Sequence, residues 1–159
     1  MNTGTRHRIV RFILLAFAIN SYGGVLFAED LQPLRVVYDV AVDSPEAVNN
    51  VLARASHMSQ ITGADPLEGS IVLILHGNEV AFFNRDEFET YRDIVDRARS
   101  LTVGGVIKIK ISELALKVRG MSAKDVHSFL EVVPFGDAEI ARLQAQEEHA
   151  YLQAHNLAP

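Results

Sequence analysis

The run Ser70-Ile71-Val72-Leu73-Ile74-Leu75 is apolar at every position after its first. A strand with one wet face alternates polar and apolar residues. A run without alternation must be covered on both sides, the condition of a central strand in a parallel sheet. Leu34–Ala41 (LRVVYDVA) reads the same way. Between these runs the apolar period changes to that of a helix. Ser44-Pro45 supplies an N-cap and a first helical residue, and Val48, Val51, Leu52 and Ala55 then fall on one face. Gly63 ends that helix, and Asp65 to Gly69 forms a loop. After His76-Gly77, Glu79–Phe83 reads as a short extended piece. Asn84 with Glu87 three residues on caps a second helix, whose stripe is Tyr91, Ile94, Val95 and Ala98 and whose end is Gly104-Gly105.

Val106–Ile111 (VIKIKI) alternates, with Lys108 and Lys110 on one face and isoleucines on the other. That wetter face predicts a place near a sheet edge, where lysines discourage further pairing, although the same lysines could meet an anion or an acidic partner. A short helix over 113–119 ends at Gly120, and Ser122 with Asp125 predicts another helix start. Glu131–Phe135 is a short strand whose Pro134 suits an edge. Gly136 opens a last helix, with Asp137 and Glu139 at its positive end. Strands separated by helices pair in parallel through right-handed crossovers. The expected fold is therefore a three-layer α/β/α sandwich with a mainly parallel sheet, in one domain over residues 29–159.

The first 28 residues read as an address. Arg6, Arg8 and Arg11 precede the apolar stretch Phe12–Ile19, and small residues then lead to Ala28 before Glu29-Asp30. That order is the pattern of a secretory signal peptide. Eight apolar residues rise only ~12 Å as a helix, short of a ~30 Å hydrocarbon core. The alternative is an uncleaved anchor continuing to Phe27. Cleavage after Ala28 leaves 12 basic against 20 acidic residues, a formal charge of −8. Such acidity argues against nucleic acid or anionic membrane as a partner, and export implies a periplasmic or secreted protein. The chain of 159 residues has no Cys, which excludes disulfides, thiolate metal sites and any thiol nucleophile.

In parallel sheets ligands gather beyond the carboxyl ends of the strands. Asp43, His76, Gly77, Ser112 and Glu113 all fall there, and they are the candidate ligand-binding residues. His76 is the candidate proton donor or acceptor, and Ser112 a hydrogen-bonding group. Each also has a plainer role: His76 capping a strand end, Ser112 capping the helix at 113–119. A hydrolase built from Ser112, His76 and Asp43 would need mutual hydrogen bonds and an oxyanion hole, and no G-x-S-x-G elbow is present. His57, His127 and His149 show no H-x-x-x-H spacing, so neither a metal nor another cofactor is expected. Glu147 and Glu148 read as a solvated helix face. Phe82-Phe83 reads as core or as a subunit contact.

The order of LRVVYDVA (34–41), VNNVL (48–52), IVLILHG (71–77) and VPFGDAEIARLQAQEEHAYL (133–152) resembles the DsrE/DsrF-like family, which includes the YchN-type proteins. The resemblance spans about residues 34–153 and is most specific in the tail, where VPFG precedes EIARLQ and an aromatic. It implies a small α/β sandwich assembling as trimers, hexamers or mixed hexamers, some of whose members relay sulfur on a Cys persulfide. The family's active Cys position falls on Ser112, and a hydroxyl cannot carry a persulfide. The resemblance therefore implies an exported, non-catalytic member that binds a small ligand or partner within an oligomer, with a possible tie to sulfur metabolism. Two alternatives remain open: a subunit of a mixed complex whose homologue supplies the Cys, and a Ser/His hydrolase.

Overall fold

The computed structural model describes residues 34–62 and 71–155. The expected signal segment, Gly63 and the 65–69 loop lie outside them. Strand β1 (Val36–Ala41) leads into α1 (Pro45–Thr62), and β2 (Ile71–Leu75) follows. Two 3₁₀ turns, Asn78–Phe83 and Arg85–Glu87, precede α2 (Phe88–Val103). Then come β3 (Lys108–Ser112), α3 (Glu113–Val118), β4 (Glu131–Val133), α4 (Gly136–Glu147) and β5 (Ala150–His155). The strands form a five-stranded sheet in the order β4-β3-β2-β1-β5, and every pairing is parallel. This is the three-layer α/β architecture expected from the sequence.

The two faces of the sheet are covered unequally. Tyr38, Val40, Leu73, Leu75, Ile109 and Ile111 point into a large apolar cluster with α1, α2, α3 and the first 3₁₀ turn. Strand residues of the opposite parity, Val37, Val72 and Ile74, form a smaller cluster with Ile140 and Leu143 of α4. The topology explains the imbalance. The chain steps across neighbouring strands from β1 to β4, placing its early helices on one side, and only the long return from β4 to β5 carries a helix over the other.

Four local expectations are corrected. Residues 79–83 form a 3₁₀ turn rather than an extended piece, because Val80 and Phe83 both bury into the large cluster while the buried Glu79 carboxylate is held by backbone N–H groups. Asn84 caps the next short turn by accepting from the Asp86 N–H at 3.0 Å, one turn before α2 begins. The VIKIKI strand is interior, with β2 on one side and β4 on the other, and Lys110 is only 8% exposed. Its ammonium is tolerated because Glu139 at 2.6 Å and Glu131 at 3.1 Å neutralise it. Ser122 and Asp125 bond to one another, Asp125 Oδ2 accepting from both the Ser122 N–H and hydroxyl at 2.7 Å, and they close a turn that starts no helix.

A fifth strand, not anticipated, replaces the end of the expected last helix. Glu148 adopts a left-handed conformation (φ 57°, ψ 31°), and the His149 N–H returns to the Leu143 carbonyl at 3.2 Å. This six-residue closure ends α4. The Ala150 N–H then bonds the Arg35 carbonyl at 2.8 Å, and β5 zips along β1.

Candidate functional site

The carboxyl ends of β1 and β2 are drawn together by one buried carboxylate. Glu79 has no exposed surface. Its Oε2 accepts from the Val42 N–H at 3.0 Å and its Oε1 from the Gly77 N–H at 2.8 Å. Burial pushes the Glu79 carboxyl above its ordinary pKa, opposed by these backbone donors. Gly77 is needed for this closure, since a Cβ there would lie 2.5 Å from Glu79 Oε2 and 2.9 Å from Ala41 Cα. Asp43 belongs to an outer tie: its Oδ1 accepts from Asn78 Nδ2 at 2.5 Å, and Asn78 Oδ1 accepts in turn from Arg119.

His76 follows β2 directly and emerges on the α4 side of the sheet. Its Nε2 lies 2.5 Å from Asp39 Oδ1, and Tyr151 donates its hydroxyl to Asp39 Oδ2. Asp39 and Tyr151 sit on the neighbouring strands β1 and β5, so three adjacent strands supply one polar string. The bond to Asp39 raises the Tyr151 hydroxyl above its usual pKa, as expected for a donor facing a carboxylate. His76 Nδ1 lies 3.9 Å from Asp137 Oδ1, on the first turn of α4. Gly136 allows that approach: a Cβ there would meet His76 Cβ at 2.9 Å and Ile74 Cγ2 at 3.2 Å.

Ser112 closes the floor. It is 1% exposed, and its hydroxyl oxygen accepts from the Ala115 N–H at 3.4 Å and the Gly136 N–H at 3.3 Å. It caps α3 and ties in the start of α4 with the same oxygen. No hydrogen bond joins Ser112 to His76 among the described residues, and the carboxylate that holds His76 is Asp39, not Asp43. The Ser112/His76/Asp43 triad is therefore not assembled.

A cleft of about 200 Å³ opens above these groups, lined by His76, Ser112, Ala115, Arg119, Phe135 and Asp137, with Leu114 and Val118 beside them. Its rim is apolar and open: Leu114 is 49%, Val118 75% and Phe135 45% exposed. Of the five residues expected to converge, His76 and Ser112 face this cleft. Gly77 and Asp43 build its support. Glu113 turns away to pair with Lys117 at 2.9 Å on the helix surface. Sequence reasoning placed Asp39 inside the first strand, among residues that could converge on one cleft, and passed over Asp137, Glu79 and Tyr151 as site residues. Asp39 carried a usable signal, an acid inside an otherwise apolar strand. Tyr151 carried none once its strand was read as helix.

A larger groove of about 530 Å³ runs between the starts of α1 and α2. Its polar lining, including Glu89, Thr90, Arg92 and Asp93, is exposed side chains of one helix turn, so it offers no oriented group. The remaining histidines are scattered. His57 is exposed on α1, His127 lies between Phe88 and Phe129, and His149 is buried under the end of α4. Among the described residues, no three His, Asp or Glu side chains are grouped to hold a metal, and no helix is long and apolar enough to cross a membrane.

No family model matches the chain, and no curated protein matches it. Among solved structures, it is similar to MTH1491, a protein of unknown function from Methanobacterium thermoautotrophicum. The TM-score is 0.62 at 21% identity, over 76% of this chain and 98% of that one. The likeness shows a shared fold.

Proposed function

We propose that this chain is an exported, non-catalytic binding protein of the DsrE/YchN kind, holding a small ligand in the cleft between His76 and Phe135. The observation that carries the reading is the division of labour between His76 and Ser112. Asp39 fixes the His76 ring from behind and leaves its Nδ1 edge toward the cleft, while the Ser112 hydroxyl is buried and occupied as a double cap. A fixed imidazole beside an apolar rim recognises a ligand; a buried capping hydroxyl makes a poor nucleophile. The family position of the reactive Cys is thus filled by a residue that holds two helices in place. A tie to sulfur metabolism rests on the resemblance alone, and export on the leader-like first 28 residues.

The same reading has the protein working as a homo-oligomer, or as a mixed one with a Cys-bearing homologue. The exposed Leu114, Val118 and Phe135 around the cleft mouth favour assembly, since a subunit seated there would cover apolar surface and close the cleft. Native mass spectrometry of the protein purified from its own host tests both parts. The expected spectrum is an oligomer carrying a reproducible small mass that His76→Ala loses. A monomer with no retained mass in either protein would overturn the reading.

A further inference from the structure

The chemistry of the cleft follows from the hydrogen on His76. Asp39 is held from two sides, by His76 Nε2 on one oxygen and the Tyr151 hydroxyl on the other. A carboxylate in that position requires a hydrogen on Nε2. In the neutral ring Nδ1 is then a bare acceptor. Asp137 Oδ1, the other acceptor, stands 3.9 Å away, too far for a direct bond. Two acceptors thus face one gap, and among the described residues no hydrogen bond bridges them.

The charged groups around this gap come from every element that borders it. Asp39 lies on β1, Asp137 on α4 and Tyr151 on β5, and Glu79 is buried beyond His76 in the turn after β2. Among the described residues, Arg119, on the α3 side, is the one cation lining the cleft, and it is engaged with the Ala115 carbonyl at 3.0 Å and with Asn78 Oδ1. The balance next to Nδ1 is negative, and the walls beyond it are Leu114, Val118 and Phe135.

We propose that the cleft takes a small primary ammonium compound with an apolar tail, its N–H groups bridging His76 Nδ1 and Asp137 Oδ1 while the tail lies along Leu114, Val118 and Phe135. This rests on the ligand-binding reading above and names the ligand class for it. Binding requires the bare Nδ1, so a proton on that nitrogen competes with the ligand.

The probes are n-pentylammonium, pentanoate and 1-pentanol, titrated into the full-length protein and followed by NMR at the Ala115 methyl, the Phe135 ring and the His76 ring. Pentylammonium is expected to saturate these signals, with 1-pentanol and pentanoate at least about tenfold weaker, the scale of a charge-assisted hydrogen bond. Asp137→Asn is expected to weaken pentylammonium about tenfold while leaving 1-pentanol unchanged. Tighter saturation by pentanoate would overturn the ammonium class and make Arg119 the anchor, with the ligand cleft intact. Equal binding of all three probes would also overturn the class. Silence from all three at these signals would overturn the ligand cleft itself.

Discussion

The two faces of the sheet are made by the same five strands and yet differ in kind. On the α1/α2 face, Tyr38, Leu73 and Ile109 are sealed in a large apolar cluster, and the buried carboxylate beside it, Glu79, is held by backbone N–H groups. On the α4 face the apolar cluster has five residues, and beside it lie the Lys110–Glu139 pair, Ser112, and the Asp39–His76–Tyr151 string. The difference follows from topology. Several helices pack the first face, whereas the single return helix cannot span a five-stranded sheet, so polar side chains persist around it. Stability is concentrated on the crowded face and chemistry on the sparse one.

Neighbouring residues of β2 offer the sharpest way to break that comparison. Leu73 and Ile74 are both buried but point to opposite faces. Leu73→Ala is expected to cost about 3–4 kcal/mol, and Ile74→Ala about 2–3 kcal/mol, because one helix can settle toward a vacated site more readily than a packed layer can. Urea unfolding measures both. An equal or larger cost at Ile74 would mean that the α4 face is as rigidly packed as the other.

A somewhat smaller effect is expected at the buried ion pair. Lys110→Met leaves Glu139 inside with Arg142 as its remaining partner at 2.7 Å, at a cost of about 2 kcal/mol. Adding Glu139→Leu is expected to recover most of that loss, because it removes the carboxylate that has lost its buried ammonium. A double variant no better than the single would show that the pair itself, rather than the stranded charge, holds α4 down.

Acid separates the α4 face from the other by titration. Hydrogen bonds from Arg142 and Lys110 hold the Glu139 carboxyl down from 4.5 to about 2. A depressed carboxyl contributes stability above its unfolded value and loses it as protons bind, so stability falls between about pH 4.5 and about pH 2. His149 acts in an earlier window. It is 5% exposed with neither ring nitrogen hydrogen-bonded, and burial depresses its pKa below 6.5. The unfolded chain takes up that proton first, so stability begins to fall as pH drops below 6.5. Glu139→Gln is expected to flatten the lower window and His149→Phe the upper one, in unfolding curves recorded from pH 7 to pH 2.5. A slope that survives both substitutions would place the acid sensitivity elsewhere.

The smallest change is expected at Tyr151→Phe. The ring is 41% exposed and Asp39 keeps His76, so stability is expected to move by no more than about 0.5 kcal/mol. What it sharpens is the site: with the Tyr151 donor gone from Asp39, the His76 Nε2 contact is expected to persist, visible as an unchanged ring tautomer by NMR.

How far the sequence could be read depended on how local each signal was. The apolar run at 71–75 and the stripes of α1 and α2 declare themselves within a few residues, and the fold class follows from their order. Residues 150–155 do not. Ala-Tyr-Leu-Gln-Ala-His continues a helical pattern, and only the left-handed turn at Glu148 and pairing with a strand more than a hundred positions earlier make it β. Lys110 misled for a similar reason, since its partners Glu131 and Glu139 are brought to it by tertiary structure. Within the site, His76 and Ser112 were legible because strand ends are where parallel sheets bind. Asp39 was partly legible, as an acid inside an apolar strand, and Asp137 was not, because its place beside His76 depends on the crossing of α4 over the β2 end.

The most direct measurement is the tautomer of His76, read from long-range ¹H–¹⁵N correlations of the ring in the free protein at pH 8. A hydrogen on Nε2 with a bare Nδ1 is the expected result, since Asp39 holds the one nitrogen and leaves the other to the cleft. A ring protonated at Nδ1 and bare at Nε2 would contradict it, for Asp39 would then lose its donor and the cleft its acceptor.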